Sequence, residues 1–252
     1  MTDLGLLSTT EQIELIRKRE VTSQELTAHY IDRIERLDHE INAVVTRDFE
    51  RALSESELAD EKTSRGETLG PLHGIPITVK DALATEGLRS TGGALELSDN
   101  VPNDDAAVVK AVRDAGAIVI GKTNLPRWSG DIQAYNEIFG TTNNPWDLER
   151  VPGGSSGGAA AAVAMGFTSF EIGTDIGGSI RFPAAFNGVW GHKPSFGLIP
   201  TTGYLDYENG GLNEADINVF GPIARSASDL DLLLSIMVRS NKPWVVQLTD
   251  PP

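Results

Sequence analysis

A chain of 252 residues, 40% hydrophobic and 23% charged, is long enough to bury a sizeable core and is composed like a globular protein, not a disordered one. Lys and Arg number 21 against 36 Asp and Glu, a formal net charge of −15, so no basic surface exists to neutralise phosphates and direct nucleic-acid contact is not expected. The chain has no cysteine, hence no disulfide, thiolate nucleophile or cysteine metal site, and neither a signal-peptide h-region nor a run of about 18 apolar residues occurs, which predicts a cytoplasmic, non-membrane protein.

Ser8 and Glu11 have capping-box spacing ahead of IELIRK, and Thr22 and Glu25 repeat it before Leu26, Tyr30, Ile34 and Leu37 at helical spacing. Two helices therefore open the chain, and a third is predicted over 48–62, where Phe49, Ala52 and Leu53 form a short apolar face among charges. His29 and His39 have no partner pattern and read as surface or satisfied histidines. The turn-rich GPLHGIP leads into an apolar run over 75–79, a buried strand that ends at Lys80-Asp81. A helix over 104–115 turns Val108, Val109 and Val112 inward and stops at Gly116, and AIVIGK over 117–122 forms a second buried strand. Helix then strand, repeated, predicts an α/β protein with helices on both faces of a mixed central sheet. Residues 1–62 form an N-terminal helical layer, and 63–252 an α/β core within one structural domain.

Residues 123–150 are irregular and rich in Asn, Pro and Trp, as are 197–221 in Gly, Thr and Asn; loops of this length in a compact domain are usually functional or wrap the core. Ser226 and Asp229 cap a last helix bearing Leu230, Leu233, Leu234 and Met237, and the tail NKPWVVQLTDPP carries no element of its own. Between these lies the stretch on which the chemistry rests, 151–194, with two glycine-framed serines, Ser155 and Ser179. A small-residue helix over 157–164 carries the chain away by ~14 Å, and a strand near 168–173 returns it by ~17 to 20 Å. Both serine loops can then meet at one end of a sheet, where α/β proteins usually place chemistry.

GGSSGG read as a linker does not explain the helix, strand and second Gly-Gly-Ser that follow. It lacks the Gly-Lys-Ser/Thr ending of a phosphate loop and any GxGxxG, and the four histidines have no metal-ligand spacing. No metal or other cofactor is expected. A Ser-His-Asp triad would have only His192 as a nearby base, and no GxSxG anchors it. A buried lysine made neutral by desolvation can serve instead, and clustered glycines before Ser179 can present backbone N–H groups to an oxyanion.

PGGSSGGAAAAVA followed by GTDIGGSIRFPAAFNGVWGHKPS resembles the amidase signature family, as do PLHGIPITVKD, AGAIVIGKTNLP, FGTTNNPW and GPIARSASDLDLLL. The similarity runs from about Ser8 to Val238. It implies the amidase signature fold and a Ser-Ser-Lys triad: Lys80 as general base, Ser155 as the bridging serine after a cis peptide, and Ser179, 24 residues further on, as nucleophile. Ile176, Gly177, Gly178 and Ser179 match the oxyanion donors, with Ser156 in support and Asp175 and Arg181 holding the loop. The implied activity is amidohydrolysis of a small-molecule amide, or an ester, through an acyl-enzyme. Proteins of that family are much longer, and their second half completes the sheet and much of the acyl pocket. An incomplete fold with an exposed edge is therefore expected, and the alternatives are a truncated or assembly-dependent fragment or an amidotransferase A-type subunit. Expected partners are the substrate and either a second copy in a homodimer or the missing C-terminal half.

Overall fold

The computed structural model describes residues 3–238 except 68 and 209. Helices α1 (Thr9–Arg17) and α2 (Ser23–Ile41) start at full capping boxes on Ser8 and Thr22, as the local spacing predicts. The N-terminus of α1 is also held by the last helix, α7 (Ala227–Met237), whose Asp229 carboxylate accepts from Thr9 N at 3.1 Å and Thr10 N at 2.9 Å. A carboxylate there answers both the unpaired N–H groups and the helix dipole. After α2 comes a strand that the sequence does not announce, β1 (Val44–Arg47), and then α3 (Phe49–Ser64). The N-terminal layer expected to be helical thus also contributes a strand to the sheet.

The strands fall into two three-stranded pieces and a hairpin. In the first piece β3 (Ile118–Thr123) is central, antiparallel to β1 and parallel to β2 (Pro76–Lys80). The crossover between β2 and β3 carries α4 (Ala107–Asp114). The hairpin, β4 (Tyr135–Asn136) with β5 (Gly140–Thr141), lies in the long irregular segment. The second piece is antiparallel, with β8 (Val219–Ala224) between β6 (Glu171–Asp175) and the two-residue β7 (Trp190–Gly191).

The two pieces meet at β2 and β6, and side chains close the seam. Thr78 N donates to Thr168 Oγ1 at 2.9 Å, and Lys80 N donates to Glu171 Oε2 at 3.1 Å. Every residue of β2, β3, β6 and β8 is buried, which requires cover on both faces. Helix α5 (Gly157–Met165) packs on β2, β3, β6 and β8, α2 on β2, α3 on β3 and α7 on β8. The fold is the mixed α/β arrangement expected.

Differences from the sequence reading are local. The returning strand begins at Glu171, because Thr168 is spent on the seam and on Phe170 O. A short helix, α6 (Arg181–Asn187), follows the second serine loop, and β8 begins inside the stretch read as loop. The tail expected to carry no element lies outside the described residues.

Candidate active site

Lys80 ends β2 with 0% of its surface exposed. Its Nζ meets three hydroxyls: Ser155 Oγ at 2.7 Å, Thr174 Oγ1 at 2.7 Å and Ser156 Oγ at 3.1 Å. An ammonium can donate to all three, whereas a neutral amine keeps two N–H bonds and turns a lone pair to the third hydroxyl. Burial pushes the Lys80 pKa down to about 7, against the opposing pull of Glu171 and Asp175. At neutral pH this lysine can therefore exchange a proton with a hydroxyl it already touches.

The first serine loop is built by close backbone approach. A Cβ on Gly154 would stand 2.5 Å from Asp131 O, and Gly153 takes a φ of 77° against Pro183, so both positions require glycine. The Gly154–Ser155 peptide is cis. Ser155 and Ser156 are buried, and α5 starts immediately after them. Ser156 Oγ also touches Thr174 N at 3.3 Å and Thr174 O at 3.4 Å, so it ties the loop to β6.

The second loop folds around a carboxylate. Asp175, the last residue of β6, accepts from Gly178 N at 2.9 Å, Ile180 N at 3.0 Å and the Arg181 guanidinium at 2.8 and 3.0 Å. Burial raises the Asp175 pKa, but Arg181 and the two N–H groups outweigh it and leave the carboxyl below its ordinary value. The loop thus stays wrapped on a fixed negative charge. It presents Ser179 half-buried beside exposed Ile176 and Gly177, and Ser156 N donates to Ser179 O at 3.1 Å.

Lys80, Ser155, Ser156 and Thr174 are therefore in direct contact, and Ser179 joins them through its backbone. The Ser155 and Ser179 hydroxyls do not hydrogen-bond to each other in this structure. Of the four expected oxyanion donors, Gly178 N donates to Asp175 Oδ1 in this structure. Among the described residues the N–H groups of Ile176, Gly177 and Ser179 have no such acceptor. His192 N donates to Pro222 O, and His192 is not among the hydrogen-bond partners of Lys80 Nζ. His29 Nε2 is within 2.9 Å of Asp3 Oδ1 and 3.1 Å of Gly5 N, a satisfied histidine.

Two participants went unread in the sequence. Thr174 precedes Asp175 in GTDIGGS, and its hydroxyl is as close to Lys80 Nζ as that of Ser155. Glu171, a charged residue opening a buried strand, accepts from the Lys80 backbone; charge within an apolar run was the available signal. A cavity of about 430 Å³ opens beside the first loop, with Asp131, Arg127, Gln133 and Asn136 in its wall. Among the described residues no cluster of three His, Asp or Glu side chains could hold a metal ion, and no helix is long and apolar enough to cross a membrane.

Residues 25–251 match the model of the Amidase family. Over 92% of its length the chain is 45% identical to the A-type subunit of glutamyl-tRNA(Gln) amidotransferase from Moorella thermoacetica, covering 46% of that protein. Among solved structures it superposes on the peptide amidase of Stenotrophomonas maltophilia with a TM-score of 0.84 at 35% identity, covering 93% of this chain and 48% of that one. A bacterial aryl acylamidase gives 0.86 at 32% identity, with 94% and 48% covered. Fatty acid amide hydrolase gives 0.83 at 31% identity, with 92% and 40% covered. The chain thus spans about half the length of the curated relatives it matches.

Proposed function

The chain belongs to the amidase family, and on that premise we propose that it is an amidohydrolase cleaving a carboxamide C–N bond, or an ester, through a serine acyl-enzyme. Ser179 Oγ attacks the carbonyl carbon while its proton passes to Ser155 Oγ and the Ser155 proton passes to neutral Lys80 Nζ. The tetrahedral oxyanion is held by the N–H groups of Ile176, Gly177 and Ser179. Collapse expels the amine, which takes the proton back from Lys80 through Ser155. Water then attacks the acyl-enzyme with the same groups in the same order, releasing the acid and restoring Ser179. Asp175 and Arg181 fix the loop that carries nucleophile and donors, and Ser156 with Thr174 aims Lys80 Nζ. The reaction needs no cofactor, and the enzyme works in the cytoplasm.

The observation that carries this reading is the wholly buried Lys80 amine within 2.7 Å of Ser155 Oγ. The apo separation of Ser155 from Ser179 does not oppose it, since catalytic hydrogen bonds commonly tighten only once substrate is bound. Hydrolysis of a panel of aryl and alkyl amides by wild type, Ser179→Ala, Ser155→Ala and Lys80→Ala is the test. A fluorophosphonate probe should label wild type and spare Ser179→Ala; full turnover by Ser179→Ala would sink the mechanism.

A second reading is favoured by exposed Phe182, Phe186, Trp190 and Trp146 beside the second serine loop, together with the half-length match. Here the chain is a fragment that becomes active only with the remaining half of such an enzyme, or works as an amidotransferase A-type subunit. With a net charge of −15 the tRNA contact would fall to a different protein of the assembly. Near-UV circular dichroism of the isolated chain separates the readings: fixed tertiary signal favours the autonomous enzyme, and its loss the assembly-dependent fragment.

A further inference from the structure

The seam between the two sheet pieces holds a charge where a neutral side chain would serve the backbone as well. Glu171 is fully buried, and its Oε2 accepts from Lys80 N at 3.1 Å and from Ile172 N at 2.8 Å, while Oε1 accepts from Thr123 Oγ1 at 2.8 Å. The side chain thereby touches β2, β6 and β3 at once. A glutamine carbonyl could accept those backbone bonds without the cost of burying an anion. What a glutamine could not supply is negative charge bonded to Lys80 N and to Thr123, the neighbour of Lys122; both lysines are buried, and neither makes a direct ion pair among the described residues. We infer that Glu171 is a positioning residue which, through the Lys80 backbone and through its charge, sets the protonation of the Lys80 amine.

The other groups around Lys80 leave this role open to Glu171. From β6, Asp175 also acts on it, but that carboxylate is neutralised by Arg181. From β3, Lys122 is the only titratable group, and from the chain following β2, Asp81 bonds Thr91 N and Oγ1. Helix α5 has no ionisable side chain, and from α2, which also packs on β2, the buried ionisable groups are Asp38, which accepts from Ala43 N and Val44 N, and Tyr30, whose hydroxyl accepts from Gln12 Nε2. Consistent with a shared proton, burial pushes Glu171 up to about 7, the same region to which burial brings Lys80 down. Two such groups titrate as one coupled unit. Removing the carboxylate removes what favours the ammonium, so Lys80 must release its proton at lower pH.

The inference rests on reading Lys80 as the base, and the test keeps the two claims apart. Lysine carrying ¹³C at Cε is incorporated into the full chain, the Lys80 signal is assigned by its loss in Lys80→Ala, and its shift is followed against pH. In Glu171→Gln the Lys80 transition should move to lower pH by about half a unit or more, Glu171→Asp should bring it back toward wild type, and the acid limb of fluorophosphonate labelling should move with it. An unmoved Lys80 transition in folded Glu171→Gln overturns the inference and leaves the amidohydrolase reading standing. A wild type whose Lys80 responds in this way but never labels Ser179 supports the inference and defeats the reading. Should Glu171→Gln fail to fold, glutamate carrying ¹³C at Cδ in wild type decides: Glu171 and Lys80 must report a common pair of transitions, and independent single transitions overturn the proposal.

Discussion

Lys80 is the last residue of β2 and Lys122 the last but one of β3, its parallel neighbour, and both lie wholly inside the protein. Lys122 Nζ donates to Leu83 O at 2.5 Å, Thr85 Oγ1 at 2.7 Å and Ser90 Oγ at 2.9 Å, and burial lowers its pKa to about 8. In sequence the two look alike, each a lysine at the end of an apolar run, and only the second partner tells them apart: Lys80 reaches serines of a loop 75 residues away, while Lys122 holds the chain just after β2. Their lowered values make stability depend on pH with a definite sign. Above about pH 8 the folded chain has released protons that unfolded lysines, near 10.5, still hold, so the unfolded state binds more protons and stability rises with pH. Glu171, raised to about 7, is ionised in both states in this window, and the raised Tyr30 and Tyr204 act only at higher pH. Unfolding free energies from urea titrations between about pH 8 and about pH 9.5 should thus increase by about 1 kcal/mol per pH unit for each lysine, and Lys122→Met should roughly halve the slope. A flat profile would show that these amines are not held neutral.

Helix α5 places Ser155 and Ser156, which immediately precede it, by coming closer to its neighbours than any side chain would permit. A Cβ on Gly158 would lie 2.5 Å from Asn124 N and 2.6 Å from Asn124 O, backbone atoms fixed at the end of β3. Gly158→Ala must push α5 or the Asn124 turn aside, at a cost of roughly 1 to 3 kcal/mol, and carry the preceding serine loop off Lys80. Both a lowered thermal midpoint and slower fluorophosphonate labelling are expected; an unchanged midpoint would mean the contact yields freely. This helix was legible in the sequence because a run of small residues between glycines has few other uses, and α1 and α2 were legible because their caps are local. Strand β1 was not: it has four residues and gains its burial from β3, far along the chain. Strand β8 was hidden by Gly221-Pro222, since proline is rare in a central strand and reads as a loop. Helix α6 carries Pro183 in its first turn and no side-chain cap, so nothing local announces it. The two glycine-framed serines were visible as motif spacing, whereas Lys80 was singled out only by the family resemblance. Glu171 and Thr174 were not, because their importance comes from a seam that only the assembled sheets create.

At the scale of the whole molecule, several large aromatic side chains are exposed next to the second serine loop. Phe182 and Phe186 stand one turn apart on α6, 45% and 46% exposed. Trp146 bonds Asn187 O through Nε1 while remaining 75% exposed, and Trp190 sits on two-residue β7, whose outer side pairs with no strand among the described residues. Four large exposed aromatic side chains thus lie on or next to one short helix and an edge strand, the kind of surface that drives association. Burial in the core does not require them there: Ile180 and Ala184, on the inner side of the same turn, already pack α6 against the fold. The isolated chain should therefore bind 8-anilinonaphthalene sulfonate in its native state and show concentration-dependent self-association by sedimentation velocity. Replacing Phe186 and Trp190 together by serine should reduce both signals while the near-UV circular dichroism of the remaining aromatics persists. A wild type that stays monomeric and dye-silent at about 100 μM would mean the patch is not sticky enough to matter. If association is seen and the serine variant abolishes it without changing Ser179 labelling, the exposed aromatics and the Lys80 cluster are separable, and this chain assembles the site without association through α6.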